Sequence, residues 1–240
     1  MASLKHLDQR RALVLFSGGQ DSTTALAYAL KTFDYVETVG FNYGQRNVVE
    51  LDCRDRVIKS LRDKLPQLGD KLGPDRVLEL STFHGLSNSA LTDQTSEITT
   101  GETGLPTSFV PGRNLFFFHY AAVIGYNNYF GVLVGGMCQT DFSGYPDCRQ
   151  ETLSQLETVL NLGMETNFKI ITPLMDKTKA ESWELAHEIG GDQLVEIVRK
   201  HSHSCYNGER TALNAWGYGC GECPACMLRQ KGYEEWRGFG

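Results

Sequence analysis

The chain has 240 residues, 41% of them apolar, and its 23 lysines and arginines against 29 aspartates and glutamates leave a formal net charge of −6. This composition supports a folded core, and the acidic balance favours a small molecule over nucleic acid or an anionic membrane as the main partner. The most apolar run, LFFFHYAAVIGY, is too short to span a bilayer, and the first residues lack the apolar segment of a secretory signal. We therefore expect a cytoplasmic protein without a membrane partner.

Strand and helix patterns alternate along the first third of the chain. Residues 11–16 predict a buried strand, and apolar residues then recur at helical spacing from Ala25 to Phe33. The next patterns predict a strand over 35–43, a helix over 47–65 that ends before Pro66, and a strand over the segment DRVLEL.

The alternation resumes after a polar interruption. Residues 81–108 are rich in serine, threonine and glycine and predict a long loop that covers a site or is mobile. The later patterns predict a helix over 115–129, a strand over 130–136, a helix over 149–163, a strand over 168–174 and a helix from Thr178, where Thr178 and Glu181 have capping-box spacing. The whole predicts an α/β fold with a parallel, Rossmann-like sheet that binds ligands at the carboxyl ends of its strands.

The turn SGGQDS, Ser17 to Ser22, follows the first predicted strand and opens the first helix. Gly18 and Gly19 permit backbone angles and close approaches that side chains forbid, and the free amides of a helix start attract anions. Neither the Walker spacing nor G-x-G-x-x-G occurs in the chain. The turn therefore predicts a phosphate site; the alternative is an ordinary helix start capped by Asp21 or Ser22.

SGGQDS resembles the pyrophosphate loop, SGGxDS, of the ATP pyrophosphatases, which have an adenine nucleotide alpha hydrolase-like fold and cleave ATP between its α and β phosphates. Three further stretches, FNYGQRNVVEL, FVPGRN and GGMCQTDFSGYPDCR, together resemble the 7-cyano-7-deazaguanine synthase family of queuosine biosynthesis. The segment ITPLMDKTKAE and the terminal cysteines fit the same family, so the resemblance runs from about Ala12 to Trp236.

This resemblance implies an ATP-dependent carbon–nitrogen ligase. Its substrates would be 7-carboxy-7-deazaguanine, ammonia and magnesium ATP, and its product 7-cyano-7-deazaguanine. A carboxylate must first become an amide, and the amide oxygen must then leave, so adenylation would activate an oxygen twice in one pocket.

The resemblance also implies a nucleotide site at the first two strand ends. Asp21 would contact magnesium or only cap the helix, and the residues after the second strand would line the nucleotide or only pack. The implied nucleotide-binding residues are Phe16, Ser17, Gly18, Gly19, Gln20, Asp21, Ser22, Thr23, Phe41, Asn42 and Tyr43.

A second implied group would bind the deazapurine. A carboxylate of Asp141 or Asp147 would accept hydrogen bonds from a guanine-like edge, and Arg149 would meet the substrate carboxylate. Gln45 and Arg46 would face the cavity or form a solvated first helical turn. The implied substrate-binding residues are Gln45, Arg46, Arg113, Asn114, Asp141, Tyr145, Asp147 and Arg149.

The implied catalytic residues are Asp21, Lys179 and Arg113, which would act by positioning and electrostatic stabilisation. Lys179 fits the family's lysine near the phosphates better than Lys177 does, although an exposed lysine at a helix start is the alternative. Arg113 would pair with phosphate or carboxylate through its planar guanidinium.

Four of the seven cysteines, Cys205, Cys220, Cys223 and Cys226, crowd the end of the chain. Four sulfurs are the ligand set of a structural zinc ion; reduced core cysteines and an iron–sulfur cluster are the alternatives, with His201 or His203 as substitutes for Cys205. A metal closed by four sulfurs would hold the tail together, so we expect chelation to unfold the tail before it alters chemistry.

The chain departs from the family at one point. The gap from Cys205 to Cys220 is longer than expected, through the insert RTALNAWGY, which would pack on a neighbouring subunit of the homodimer that the resemblance implies. We predict two units, a catalytic domain over 1–200 and a zinc-binding segment over 201–240.

Two other functions compete with this one. A tRNA-modifying sulfurtransferase would share the ATP loop and the cysteine pairs but would need a basic surface and a reactive thiol. A non-catalytic, nucleotide-binding zinc module would show no turnover of ATP that depends on a deazapurine.

Overall fold

The computed structural model describes residues 4–45, 48–80, 89–92, 99, 104–139 and 144–238. Most of the predicted loop over 81–108 lies outside the described residues, as do two predicted substrate-binding residues, Arg46 and Asp141.

A parallel sheet forms the centre of the described structure. Its strands are β1 (Asp8–Leu15), β2 (Tyr35–Asn42), β3 (Leu72–Glu79), β4 (Phe130–Val134) and β5 (Lys169–Ile171), in the order β3-β2-β1-β4-β5. The predicted α/β fold with a parallel sheet is confirmed. All five residues of β4 are buried and apolar or glycine, as expected for a central strand covered on both faces.

Helices cover both faces of the sheet. In chain order they are α1 (Gln20–Thr32), α2 (Val49–Lys64), the single turn α3 (Pro66–Gly69), α4 (Arg113–Asn128), α5 (Gln150–Met164), α6 (Lys179–His201) and α7 (Pro224–Arg237). Ala12 and Val14 point from β1 into the core shared with α1, α2 and α6, whereas Leu13 and Leu15 point into the core shared with α4 and α5. The alternation of side chains along a strand thus divides the core into two layers.

Several element ends differ from the prediction. The strand β3 begins at Leu72, because it continues the pairing with β2 beyond the apolar run that marked it. The predicted capping box is confirmed, since Glu181 N donates to Thr178 Oγ1 and Thr178 N donates to the Glu181 carboxylate. The helix that it starts continues to His201 because Gly191, with φ of 61°, bends the chain and allows a second helical stretch.

The C-terminal segment folds back onto the sheet domain. It contains a short hairpin of β6 (Leu213–Asn214) and β7 (Gly217–Tyr218), followed by α7. On α6, the ring of Trp183 lies 5.2 Å from the ring of Tyr233 and 6.3 Å from that of Trp236, both on α7. Local apolar spacing predicted neither the hairpin nor α7; the division into 1–200 and 201–240 stays a prediction.

None of the helices in the described ranges combines the length and the apolar character needed to cross a membrane.

Replacing Trp183 by alanine is expected to lower the free energy of unfolding by about 3–5 kcal/mol, because a fully buried indole leaves a cavity between α6 and α7. Chemical denaturation followed by circular dichroism measures the change. Val159→Ala, at a side chain that is 56% exposed on α5, is the control and should stay within about 0.5 kcal/mol of the parent. A loss at Trp183 as small as that of the control would contradict the packing described.

Candidate active site

The turn from Ser17 to Ser22 connects β1 to α1 and is shaped by missing side chains. Gly18 has φ of 97°, and a Cβ there would collide with the Glu50 carbonyl oxygen; a Cβ at Gly19 would collide with the Glu50 carboxylate. Ser22 Oγ accepts hydrogen bonds from Ser17 N at 3.2 Å and Gly18 N at 3.3 Å. Gly19, the N-cap residue of α1, has no side chain to cap the helix, and the amide of Gln20 donates to Ser204 Oγ at 3.4 Å. The positive end of the helix dipole lies beside the cavity, which Gln20 and Asp21 line.

Two residues predicted to be catalytic meet beside this turn. Lys179 Nζ, at the start of α6, donates to Asp21 Oδ2 at 2.8 Å and to Asp21 Oδ1 at 3.0 Å. The lysine is almost entirely buried and the carboxylate is about one-third exposed. This pair places a fixed ammonium group next to the glycine turn.

A cavity of about 330 Å³ opens above the carboxyl ends of β1, β2 and β4. It brings together most of the predicted residues from the nucleotide-binding, substrate-binding and catalytic groups. Those that line it are Phe16, Ser17, Gly19, Gln20, Asp21, Ser22, Phe41, Tyr43, Gln45, Arg113, Asn114, Tyr145 and Lys179.

The far end of the cavity is aromatic. The rings of Phe41 and Phe117 stack at 4.2 Å with an angle of 5° between their planes. Arg113 Nη1 donates to Tyr43 Oη at 3.2 Å, and Tyr145 Oη shares a hydrogen bond of 2.6 Å with the Ser108 hydroxyl. A flat heterocycle with polar edges suits such a wall, because it can stack and hydrogen-bond at once.

Arg113 keeps one donor for a ligand. Among the described residues its buried Nε has no hydrogen-bond acceptor. Burial acts to lower the pKa of the guanidinium, but the neighbouring Tyr43 and Asp147 outweigh it and the pKa is raised. A fully charged guanidinium with an open donor suits a carboxylate or phosphate oxygen.

Other predicted residues make hydrogen bonds that hold the chain around the cavity in place. Thr23 Oγ1 donates to Gly19 O at 2.7 Å, and Asn42 Nδ2 donates to Glu79 Oε1 at 3.2 Å. Gln45 accepts a hydrogen bond from Tyr43 N and donates to Phe41 O, so it also fixes the end of β2.

Asp147 and Arg149 lie outside the lining of the cavity. Asp147 Oδ2 accepts a hydrogen bond of 3.0 Å from Asn114 N, at the start of α4, so this buried carboxylate already serves a helix terminus. Arg149 is exposed where α5 begins. Their predicted contacts with substrate stay predictions.

Sequence reasoning missed several lining residues, among them Glu50, Ser204, Tyr206 and Arg229. Glu50 accepts a hydrogen bond of 2.7 Å from the Ser17 hydroxyl and therefore lies over the turn. Ser204 and Tyr206 flank Cys205, and Arg229 follows Cys226 by three residues. The closeness of Ser204, Tyr206 and Arg229 to the cysteines is the only sequence signal for these residues, and by itself it indicates metal binding and not a place in the cavity.

The four terminal cysteines form one cluster, with all ligand atoms within 4.8 Å of one another. Cys220 Sγ and Cys226 Sγ are 3.9 Å apart, close to the edge of about 3.8 Å of a tetrahedron with zinc–sulfur bonds of 2.3 Å. Hydrogen bonds from the Cys223 and Cys226 thiols lower the pKa of the Cys205 thiol, which favours the thiolate that a metal binds. The cluster is suited to bind a metal ion.

The insert between the cysteines is anchored at one residue, and its packing on a neighbouring subunit stays a prediction. Its hairpin carries Trp216, which is buried against Cys205, Cys223 and Cys226 of the same chain. Burial of the Trp216 indole against the thiols removes its apolar area from water, and this stabilises the packing of the hairpin.

The parallel sheet with helices on both faces and a glycine turn at the carboxyl end of β1 defines a Rossmann-like α/β protein. Its fold resembles that of a 4-thiouridine synthetase whose crystal structure contains RNA and bound ATP, with a TM-score of 0.51 and 18% identity. The match covers 95% of this chain and 51% of that one, so this chain spans about half the length of the synthetase.

Sequence comparison then gives the family. The family model described as queuosine biosynthesis protein QueC matches residues 11–237. A 7-cyano-7-deazaguanine synthase of Rhodopseudomonas palustris is 56% identical over 234 residues, covering 98% of this chain and 97% of its own. One from a Janthinobacterium species is 57% identical over 222 residues, covering 92% and 94%. The chain belongs to the QueC family, and the predicted resemblance is confirmed.

Replacing Gly18 by alanine is expected to abolish measurable ATP binding, because the new methyl group must displace either Glu50 or the turn and also strains a backbone with positive φ. Isothermal titration with magnesium ATP measures this. Gly163→Ala is the matched control, since a Cβ at Gly163 on α5 meets only open space. If the Gly18 variant bound ATP as the control does, the turn would not be the phosphate site.

Removing the metal is expected to unfold the C-terminal tail and to weaken the binding of ATP. Ser204, Tyr206 and Arg229 belong to the cysteine-bearing segment and line the cavity, so unfolding of the tail is expected to lower the affinity for ATP in turn. A strong chelator under reducing conditions should release about one metal ion per chain, and titration should follow ATP affinity in the same samples. Re-addition of metal is the control; unchanged affinity after full release would contradict the coupling.

Proposed function

We propose that this chain converts 7-carboxy-7-deazaguanine and ammonia to 7-cyano-7-deazaguanine at the expense of ATP. The carrying observation is that 7-cyano-7-deazaguanine synthases 56% and 57% identical to it match nearly all of its length and of their own. The cavity supports the same proposal, because an anion-binding turn and an aromatic wall share one space.

Two parts of the cavity would bind different groups of the substrates. The turn from Ser17 to Ser22 would hold the phosphates of ATP, with Lys179 stabilising the charge that develops as pyrophosphate leaves. Asp21 would hold the magnesium ion of magnesium ATP, which would supply positive charge to the phosphates. Phe41 and Phe117 would stack on a heterocycle, while Arg113 directs its open donor to an oxygen.

The reaction requires two activations of oxygen. A carboxylate oxygen attacks the α-phosphorus of ATP, pyrophosphate leaves, and ammonia then displaces AMP to form the amide. The amide oxygen attacks a second ATP with loss of pyrophosphate. Loss of AMP and a proton then leaves the nitrile. Both steps need the same contacts, so one cavity serves for each.

The cysteine cluster would hold zinc in a structural site. Four sulfur ligands leave no position for water or substrate, so this metal would keep the segment folded and take no part in the reaction. The homodimer and the cytoplasmic location stay predictions; the exposed apolar side chains Phe116, Val123 and Leu162 are compatible with a subunit interface.

Isotope transfer tests the proposed route. With both oxygens of the substrate carboxylate labelled as oxygen-18, mass spectrometry should find nitrile without label and two molecules of AMP that each carry one labelled oxygen. Label in inorganic phosphate, with ADP, would contradict adenylation. No conversion by folded, metal-loaded protein would contradict the substrate, and tight binding of tRNA would then favour the sulfurtransferase.

Lys179→Met in the same assay is expected to lower the rate of nitrile formation by about 10²–10³-fold, because it removes one positive charge from the developing pyrophosphate. Lys177→Met, two residues away, is the control and should keep most of the activity. An equal loss in both variants would contradict the assignment of Lys179.

A further inference from the structure

Arg229 on α7 is a buried cation that the mechanism above does not use. Its side chain is 1% exposed. Its Nε donates to Trp216 O at 3.0 Å, its Nη2 to Val198 O at 2.9 Å and its Nη1 to Ser204 Oγ at 3.4 Å. These acceptors are neutral oxygens, and the ion pairs found among the described residues include none with Arg229.

A buried guanidinium with neutral partners is costly, since burial removes the water that stabilises its charge. Burial lowers the pKa of Arg229 to about 10, so the group still carries its charge at neutral pH. Carbonyl oxygens at the end of α6 offset part of this cost. The Asp21 carboxylate, in the turn itself, and the Cys226 thiolate also act to raise the pKa of Arg229, so this guanidinium interacts through space with the turn. The negative charge of a phosphate at the turn would add to that interaction.

The anion-binding turn lies beside this group. Arg229 and the turn line the same cavity. Ser204 Oγ, which accepts from Arg229, also accepts from Gln20 N at 3.4 Å, in the first turn of α1. His203 N donates to Gly18 O at 3.1 Å. Consecutive residues of the C-terminal segment therefore bind the turn and the arginine.

One face of α7 joins the metal cluster to the phosphate end of the cavity. Cys226, Arg229 and Gly232 are spaced by three residues and so lie on the same side of the helix. Cys226 belongs to the cluster, and Gly232 packs so closely on Lys179 that a Cβ there would lie 2.6 Å from the lysine Cβ. The position of the guanidinium therefore depends on the position of the cluster.

We propose that Arg229 supplies positive charge to the phosphates of bound ATP and to the departing pyrophosphate, and that the metal-held helix α7 keeps it beside the turn. The proposal rests on the proposed function only in requiring that the turn binds ATP. The N–H donors of the Arg229 guanidinium already bind oxygens of the chain. Arg229 therefore acts as a positioning residue, through its hydrogen bond to Ser204 and through its electrostatic field.

The test compares three ligands in metal-loaded protein without deazapurine: magnesium ATP, pyrophosphate and adenosine. In Arg229→Gln, calorimetry should find ATP and pyrophosphate bound about tenfold or more weakly, with adenosine within about twofold of the parent. Arg237→Gln, at an exposed arginine on the same helix, is the matched control and should leave all three affinities unchanged.

A purely structural role predicts a different pattern. If Arg229 only ties the end of α6 to the hairpin, its loss lowers the affinity for adenosine as much as that for ATP, and this result would overturn the proposal. Affinity for ATP within about twofold of the parent would overturn it too. Because deazapurine is absent, failure of nitrile formation with these binding results intact would refute the proposed function alone.

A second measurement serves if Arg229→Gln does not fold. In the parent protein with nitrogen-15 arginine, the Nε–Hε signal of Arg229, assigned through its own side chain, should shift on addition of pyrophosphate and stay in place with adenosine. A signal that pyrophosphate leaves unmoved would overturn the proposal.

Discussion

The turn between β1 and α1 has its shape because the chain has no side chain at Gly18 and Gly19. A Cβ at Gly18 would meet the Glu50 carbonyl oxygen, and one at Gly19 would meet the Glu50 carboxylate. This contact fixes the end of β1 against the start of α2. Much of the site depends on it, since Asp21, Ser22 and Gln20 take their positions from the same turn.

More cationic than anionic side chains line this cavity, although the chain as a whole is acidic. The molecule carries a net charge of −6, yet the cavity of about 330 Å³ is lined by three cations, Lys179, Arg113 and Arg229, against two carboxylates, those of Asp21 and Glu50. Field strength in a partly buried cavity depends on the few groups that face it, because bulk water does not screen them well. The total charge therefore contained no information on the charge of this cavity.

Local patterns in the sequence predicted the sheet, the glycine turn and the cysteine cluster, because each depends on residues close together in the chain. Asp21 and Lys179 were assigned to one function from motifs alone, and they meet although 158 residues separate them. Glu50, Ser204 and Arg229 were missed, since they reach the cavity only when α2 and the C-terminal segment fold back over the turn. No periodicity encodes that docking, and the same limit applies to the hairpin that buries Trp216.

The three tryptophans of the chain all lie in one region of the structure, so their fluorescence reports on that region. The chain has three tryptophans. Trp183 and Trp236 stack between α6 and α7, and Trp216 lies in the cysteine cluster. The tryptophan fluorescence of this protein, excited at a wavelength that its ten tyrosines do not absorb, therefore originates at the junction between the sheet domain and the C-terminal segment. Its emission wavelength and quenching describe that junction and carry little information on the rest of the fold.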